Sequence, residues 1–266
     1  MNSVFYEQRA ENLFAGIICD HPFPAHVHDV VEIVCLQTGS VEMTIAGKKL
    51  TVLPGDIAIA FPAIPHSYDK VSEDASGLSL IFTPDAIMEF NHTFRTMQPA
   101  YPLLPAKEKD PALDAIIQGF RHVVSQNQST PLKQGYLHIF LSYLFSCLPL
   151  TQGGRNPHTS LSYQVLHYIS EHFTEPLTLE NTAHALGISR IHLSHIFSQQ
   201  LHINFRQYIN TLRIDRARTL LSNPSYSISQ VAYLCGYGNQ RTFHRAFLSQ
   251  CGMPPNKFRT ECSGIG

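Results

Sequence analysis

The sequence predicts an α+β protein of two domains: a β-rich half closed by amphipathic helices, then an all-helical half. Three observations predict it. Short β-rich pieces punctuated by Gly and Pro fill the first third, the hydrophobic period changes from two to three and four after Pro105, and a helical segment recurs roughly 50 residues apart near the end. At 266 residues the chain has room for two cores of ordinary size. Its 44% hydrophobic and 15% charged residues are those of a folded globular protein and exclude a low-complexity chain.

From Cys19 to Phe82 run the pieces IVCLQTG, VEMTIAGKK, DIAIAFP and LSLIFTP, broken at turn residues every 8 to 12 positions. That spacing predicts a sandwich or small barrel. Val41, Met43 and Ile45 alternate with Glu42 and Thr44, and Ala46-Gly47-Lys48-Lys49 is expected to turn the chain before Leu50 and Val52, giving half-buried antiparallel sheet. After Pro105, Leu113, Ile116, Ile117, Phe120 and Val124, then Leu137, Phe140, Leu141, Leu144 and Phe145, recur at helical spacing and predict two amphipathic helices. The polar, Gly-rich Thr151 to Pro157 is the expected linker. Domains are therefore expected at 1–150 and 159–262.

Beyond the linker, Thr178, Ser189, Asn204, Ser227 and Asn239 are placed as helix N-caps. Phe205 to Ser222 holds neither Gly nor Pro and keeps Tyr208, Leu212, Ala217, Leu220 and Leu221 in helical register, so a rod of about 27 Å is expected. The stretch AHALGISRIHLSHIF from Ala183 overlays AYLCGYGNQRTFHRAF from Ala232 with one extra residue in the second turn. In each copy an Ala four residues before a Gly (Gly187, Gly236) lets two helices approach and turn, and apolar residues four apart (Leu193 and Phe197, Phe243 and Phe247) face inward. Either copy alone is equally an ordinary helical hairpin. Two copies, with Ser189, Arg190, His192 and His195 on one second helix and Asn239, Gln240, Arg241, Thr242, His244 and Arg245 on the other, spell two helix-turn-helix units at 178–202 and 227–251 that donate to bases and phosphates.

Charge agrees with this. Net charge is −1, but residues 1–159 carry 10 Lys and Arg against 15 Asp and Glu, while 160–266 carry 9 against 5, eight of the nine being Arg. An anionic partner for the second half follows. Cys19, Cys35, Cys147, Cys235, Cys251 and Cys262 form no C-x-x-C pair and read as reduced thiols. The opening MNSVFYEQRAENLF has no signal-peptide pattern, and the longest apolar stretch, Tyr136 to Leu150, falls short of the roughly 20 residues a bilayer needs, so the expectation is a cytoplasmic protein without membrane contact.

Leu161 to Arg259 resembles the DNA-binding domain of the AraC/XylS family of bacterial regulators. On that resemblance Arg213 and Ala217 belong to the connecting helix, and Phe243, Arg245, Phe247, Pro254 and Phe258 match the terminal signature. The chain departs from the family at His202, where Gly is usual, and at Gln199, Gln200, Leu248 and Ser249, where Lys is common, which implies weaker non-specific phosphate attraction.

In the first half, His26-x-His28-x-x-x-Glu32, separated from Gly39 by six residues, puts two imidazoles on one side of an extended segment with a carboxylate to follow, and His66 stands on a later turn. Such donors suit Fe, Mn, Ni or Zn. The pattern resembles the first cupin motif. The second is partly matched, Gly55 and His66 at the right separation but with Phe61, Ala63 and Lys70 in place of Pro, Gly and Asn. The resemblances together imply a cupin-like β-barrel sensor ahead of the paired helix-turn-helices. The four residues either line or hydrogen-bond within an organic-effector pocket, for a sugar or similar metabolite, or hold a divalent transition metal, with no cofactor otherwise required. Phe5, Phe23, Phe61 and Tyr68 are candidates to stack on a ligand and equally candidates for core.

The expectation is thus a sequence-specific transcription regulator, an activator or a repressor and not an enzyme, partnered by promoter double-stranded DNA, a small-molecule effector, RNA polymerase and, through the helices of 111–148, a second copy of itself. The rivals are a metal-dependent cupin enzyme and a metal sensor fused to the same DNA-binding domain.

Overall fold

The structure, a computed structural model, describes residues 13–17, 22–126, 128–153, 161–201 and 203–263. The described residues divide into two compact units, one ending at Tyr163 and one beginning at Gln164.

Two antiparallel sheets make the first unit. One has the order β1 (Leu13–Ile17), β8 (Ser76–Phe82), β3 (Val31–Thr38), β6 (Ile57–Ala60), β10 (Leu103–Leu104); the other runs β2 (Phe23–His26), β7 (His66–Val71), β4 (Val41–Ile45), β5 (Lys48–Val52). Strand β3 is buried along six successive residues because both its faces are covered. Val31, Ile33 and Cys35, with Ile57, Ile59, Leu78, Leu80 and Phe82, face a core completed by Leu113, Ile117 and Phe120 of α2 (Ala112–Ser125) and Leu137, Phe140, Leu141 and Leu144 of α3 (Thr130–Cys147). The alternate residues Glu32, Val34 and Leu36 project the other way and are buried too. What covers them is the second sheet, whose Tyr68 and His66 side chains bond to Glu32.

The expected alternation in β4 is present, with Val41, Met43 and Ile45 buried and Glu42 exposed. The turn is shorter than expected. Only Ala46 (φ 52°) and Gly47 (φ 75°) form it, both left-handed as a two-residue hairpin requires, and Lys48 and Lys49 already belong to β5. Both helices expected after Pro105 are present. Strands β1 and β2, helix α1 (Met88–Thr96) and the two-stranded ribbon of β9 (Met97–Pro99) with β11 (Leu150–Gln152) were not anticipated. The ribbon takes Thr151 and Gln152 out of the expected linker and pairs them with Gln98 and Met97, whereas residues 154–160 lie outside the described residues.

The second unit is helical throughout: α4 (Leu161–His172), α5 (Leu179–Ala185), α6 (Arg190–His195) widening into a π-turn over Ile196–Gln200, α7 (Phe205–Leu221), α8 (Ile228–Leu234), α9 (Gln240–Cys251) and α10 (Pro255–Ser263). All five expected N-caps cap. Thr178, Ser189, Asn204, Ser227 and Asn239 each accept a first-turn backbone N–H, at 3.1, 3.1, 2.9, 3.2 and 2.8 Å. Helix α7 is buried along two stretches. Its first half packs Phe205 and Tyr208 on Phe197, with ring centroids 5.2 and 5.5 Å apart. Its second half gives Ile214, Ala217 and Leu221 to a core with Val231, Ala232, Cys235, Tyr237, Phe243 and Phe247. No described helix is long and apolar enough to cross a membrane.

Candidate functional site

Three strands and one turn assemble His26, His28, Glu32 and His66. Antiparallel pairing of β2 with β7 sets His26 opposite His66, and β3 delivers Glu32 from the facing sheet. The backbone of Ala63 donates 2.9 Å to the His28 carbonyl and sits at φ 62°, the left-handed geometry that explains why glycine is usual here. One potential ligand atom from each of the four residues lies within 4.8 Å of the others. His26, Glu32 and His66 are buried, and the His28 side chain keeps 23% exposure, so the cluster opens to solvent on the His28 side.

The hydrogen bonds decide what this cluster can do. The Nδ1 of His26, His28 and His66 each lies close to a backbone carbonyl, of Pro24 (3.0 Å), Val30 (3.1 Å) and Ile64 (2.8 Å). A carbonyl only accepts, so each Nδ1 carries the proton and the Nε2 of a neutral ring is an acceptor. Yet the Nε2 atoms of His28 and His66 stand 3.1 and 3.2 Å from Glu32 Oε2, itself an acceptor. Acceptors facing one another at that range need a second proton on each ring or a cation among them.

Glu32 is ionised. Burial alone would raise its carboxyl, but the His28 and His66 rings outweigh burial and hold it well below the usual carboxylate range. His26 is neutral, lowered well below the ordinary histidine value by burial and by the His66 and His28 rings beside it. Two added ring protons would leave the same net charge beside Glu32 as a divalent cation, but they would serve His28 and His66 alone, whereas a divalent cation can be held by all four residues at once, and Nδ1–H bonds to carbonyls are how metal-ligating histidines are oriented. The donor set fits a transition metal. Tyr68 completes the surroundings by donating its hydroxyl to Glu32 Oε1, so it orients the carboxylate. Phe61 faces the other way, its ring 5.1 Å from Phe94 in the helical core, and is not a ligand-stacking residue. Phe23 packs edge-on against His26 at 4.9 Å. Phe5 lies outside the described residues, as does His202.

In the second unit, α6 and α9 follow their glycine turns in the same way. Leu193 and Phe197, like Phe243 and Phe247, face inward, and Arg190, His192, His195, Gln240, Arg241, Thr242 and Arg245 are exposed. His244 is half-buried, edge-on to Phe243 at 5.9 Å. Gln240 is engaged, accepting from Ser229 at 3.2 Å and lying 3.4 Å from His244 Nε2. The side-chain oxygens of Ser189 and Asn239 are spent on capping, which leaves the Ser189 hydroxyl proton and the Asn239 amide N–H to donate outward. Arg213 donates to the Phe173 and Glu175 carbonyls at 2.7 Å each, tying α7 to the end of α4. A selection based on donors passed over Ile191, which is 71% exposed between Arg190 and His192.

Residues 182–261 match the family described as helix-turn-helix domain, and residues 14–141 the family described as AraC-like ligand binding domain. Among curated proteins the chain is 28% identical over 195 residues to an uncharacterized HTH-type transcriptional regulator of Escherichia coli K12, YpdC, covering 70% of this chain and 67% of that one. It is 26% identical over 252 residues to the HTH-type transcriptional activator RhaS of Citrobacter koseri, covering 89% and 87%. The solved structure of apo ToxT from Vibrio cholerae superposes with a TM-score of 0.56 at 15% identity over 96% of this chain and 99% of that one, which supports the fold.

Proposed function

This chain belongs to the AraC/XylS family of DNA-binding transcription regulators, and from that premise we propose that its effector is received at a divalent transition metal held by His26, His28, Glu32 and His66. The observation that carries this reading is the convergence of three Nδ1-anchored imidazoles with Glu32. When bound, the metal supplies a Lewis-acidic anchor with coordination positions to spare. The chain's own residues do the rest: carbonyls fix the rings, Tyr68 orients Glu32, and the partly exposed His28 marks where a small oxygen-bearing metabolite enters.

The effector switches transcription by binding two arrangements of the protein with different affinity, which changes how α6 and α9 meet promoter DNA in the cytoplasm. A second copy pairs through α3, whose Leu132, Ile139 and Tyr143 are 42%, 49% and 39% exposed on a helix already buried along its other side, and RNA polymerase is the downstream partner. Helix α3 is apolar on both sides, as a helix between a core and a partner should be.

Metal content of the full chain, purified untagged and without chelator, tests the site. About one metal per chain is expected, falling to background in Glu32→Gln and His66→Ala variants that keep the wild-type circular dichroism. A metal-free chain that also takes up no Fe, Mn, Ni or Zn on dialysis would reject the metal and leave the barrel as a purely organic pocket.

A further inference from the structure

Helices α6 and α9 can be laid in register on their N-caps, Ser189 and Asn239, and on the buried pairs four and eight residues later, Leu193 with Phe197 and Phe243 with Phe247. In that register Ile191 stands where Arg241 stands. Both are exposed, Ile191 at 71%. An isoleucine so placed forgoes the transfer free energy of burial, and its β-branch gives no helix propensity in return. Folding does not require it there, because Leu193, Ile196 and Phe197 already fill the core beneath α6. Its flanks, Arg190 and His192, are exposed donors.

In the major groove the apolar feature a base pair offers is the C5-methyl of thymine, whereas an arginine at the same register matches guanine O6 and N7. We infer that Ile191 is a specificity-determining residue that packs on a thymine methyl, so that the two helix-turn-helix units read chemically different half-sites, thymine under α6 and guanine under α9. The inference rests on α6 and α9 entering the major groove, and it adds which base each reads at one shared position.

The test is selection of duplexes from a random library by the full chain, followed by replacement of each selected thymine, one at a time, with deoxyuridine, which removes the methyl alone. The expected site has a thymine in one half and a guanine in the other, about one helical turn apart. Deoxyuridine at that thymine should weaken wild-type binding about fourfold, the worth of one buried methyl group, and should leave Ile191→Ala binding unchanged. Ile191→Arg should move the preference at that position to guanine. Because Ile191 is exposed, the variants should keep the wild-type melting temperature. A selected site in which no thymine-to-deoxyuridine change matters, or matters equally for wild type and Ile191→Ala, overturns the inference and leaves DNA binding standing. Failure to select any sequence would overturn the groove-binding premise together with it.

Discussion

Gly187 and Gly236 fill the same place in the repeat for different reasons. Both are left-handed, at φ 66° and 80°. A Cβ on Gly187 would meet nothing within 4 Å, but one on Gly236 would lie 2.2 Å from the Thr174 carbonyl oxygen, a backbone atom that cannot swing aside. Gly187→Ala should therefore cost only the left-handed penalty, about 1 kcal/mol. Gly236→Ala adds a backbone clash and should cost more than about 2 kcal/mol. Urea melts of the two variants check this, and equal midpoints would mean the turn relaxes around a methyl group. The sequence marks both glycines as turn residues, yet only three-dimensional placement separates them, because Thr174 is 62 residues away. The mirror case is Ala46, exposed at φ 52° ahead of Gly47. Ala46→Asn supplies the Asn-Gly pair that such a turn prefers and should stabilise the protein by about 0.5 to 1 kcal/mol, read as a raised melting temperature.

At the scale of elements, α7 is the part on which the DNA geometry depends. Its 17 residues span about 26 Å, a length suited to holding two recognition helices near the 34 Å separation of successive major grooves. Arg190→Ala on α6 and Arg241→Ala on α9 should each weaken specific binding by about 1 to 3 kcal/mol in titrations at fixed salt. If neither changes affinity, these helices are not the ones in the groove. The helices of the second unit were legible from sequence because their caps, glycine turns and four-residue apolar spacing are all local signals. Strands β1 and β2 and helix α1 were not. Leu13–Ile17 is held by its pairing with β8, Phe23–His26 by its pairing with β7, and α1 by the packing of Phe94 on Phe61 and Phe82. Each is fixed by residues distant along the chain. The four-residue cluster was legible as a spacing, but the three Nδ1–carbonyl bonds that support the proposed ligand role are encoded by no spacing.

Over the whole molecule, the two units share a liability at high pH. Burial pushes the Cys35 thiol in the first unit up to about 12, with nearby Lys109 opposing it weakly. In the second unit burial pushes Cys235 up to about 12, against the pull of Arg216 and Arg213, and pushes Cys251 to about 11. The unfolded chain releases these protons near 9.0, whereas the folded protein keeps them until pH 11 to 12. Between those values the native state binds more protons than the unfolded state, so stability is full below pH 9 and falls as pH rises through that window. Each fully buried thiol contributes a slope of up to about 1.4 kcal/mol per pH unit. Cys35 and Cys235 lie in separate cores, at 2% and 0% exposure, so two contributions should be separable. Cys35→Ala should flatten the pH dependence of the first unit's unfolding and leave that of the second unchanged, and Cys235→Ala should do the reverse. Domain-resolved hydrogen exchange between pH 8 and 10.5, corrected for the intrinsic pH dependence of exchange, makes the comparison. Protection that stays constant over that range in the wild type would mean the buried thiols ionise without cost to either core.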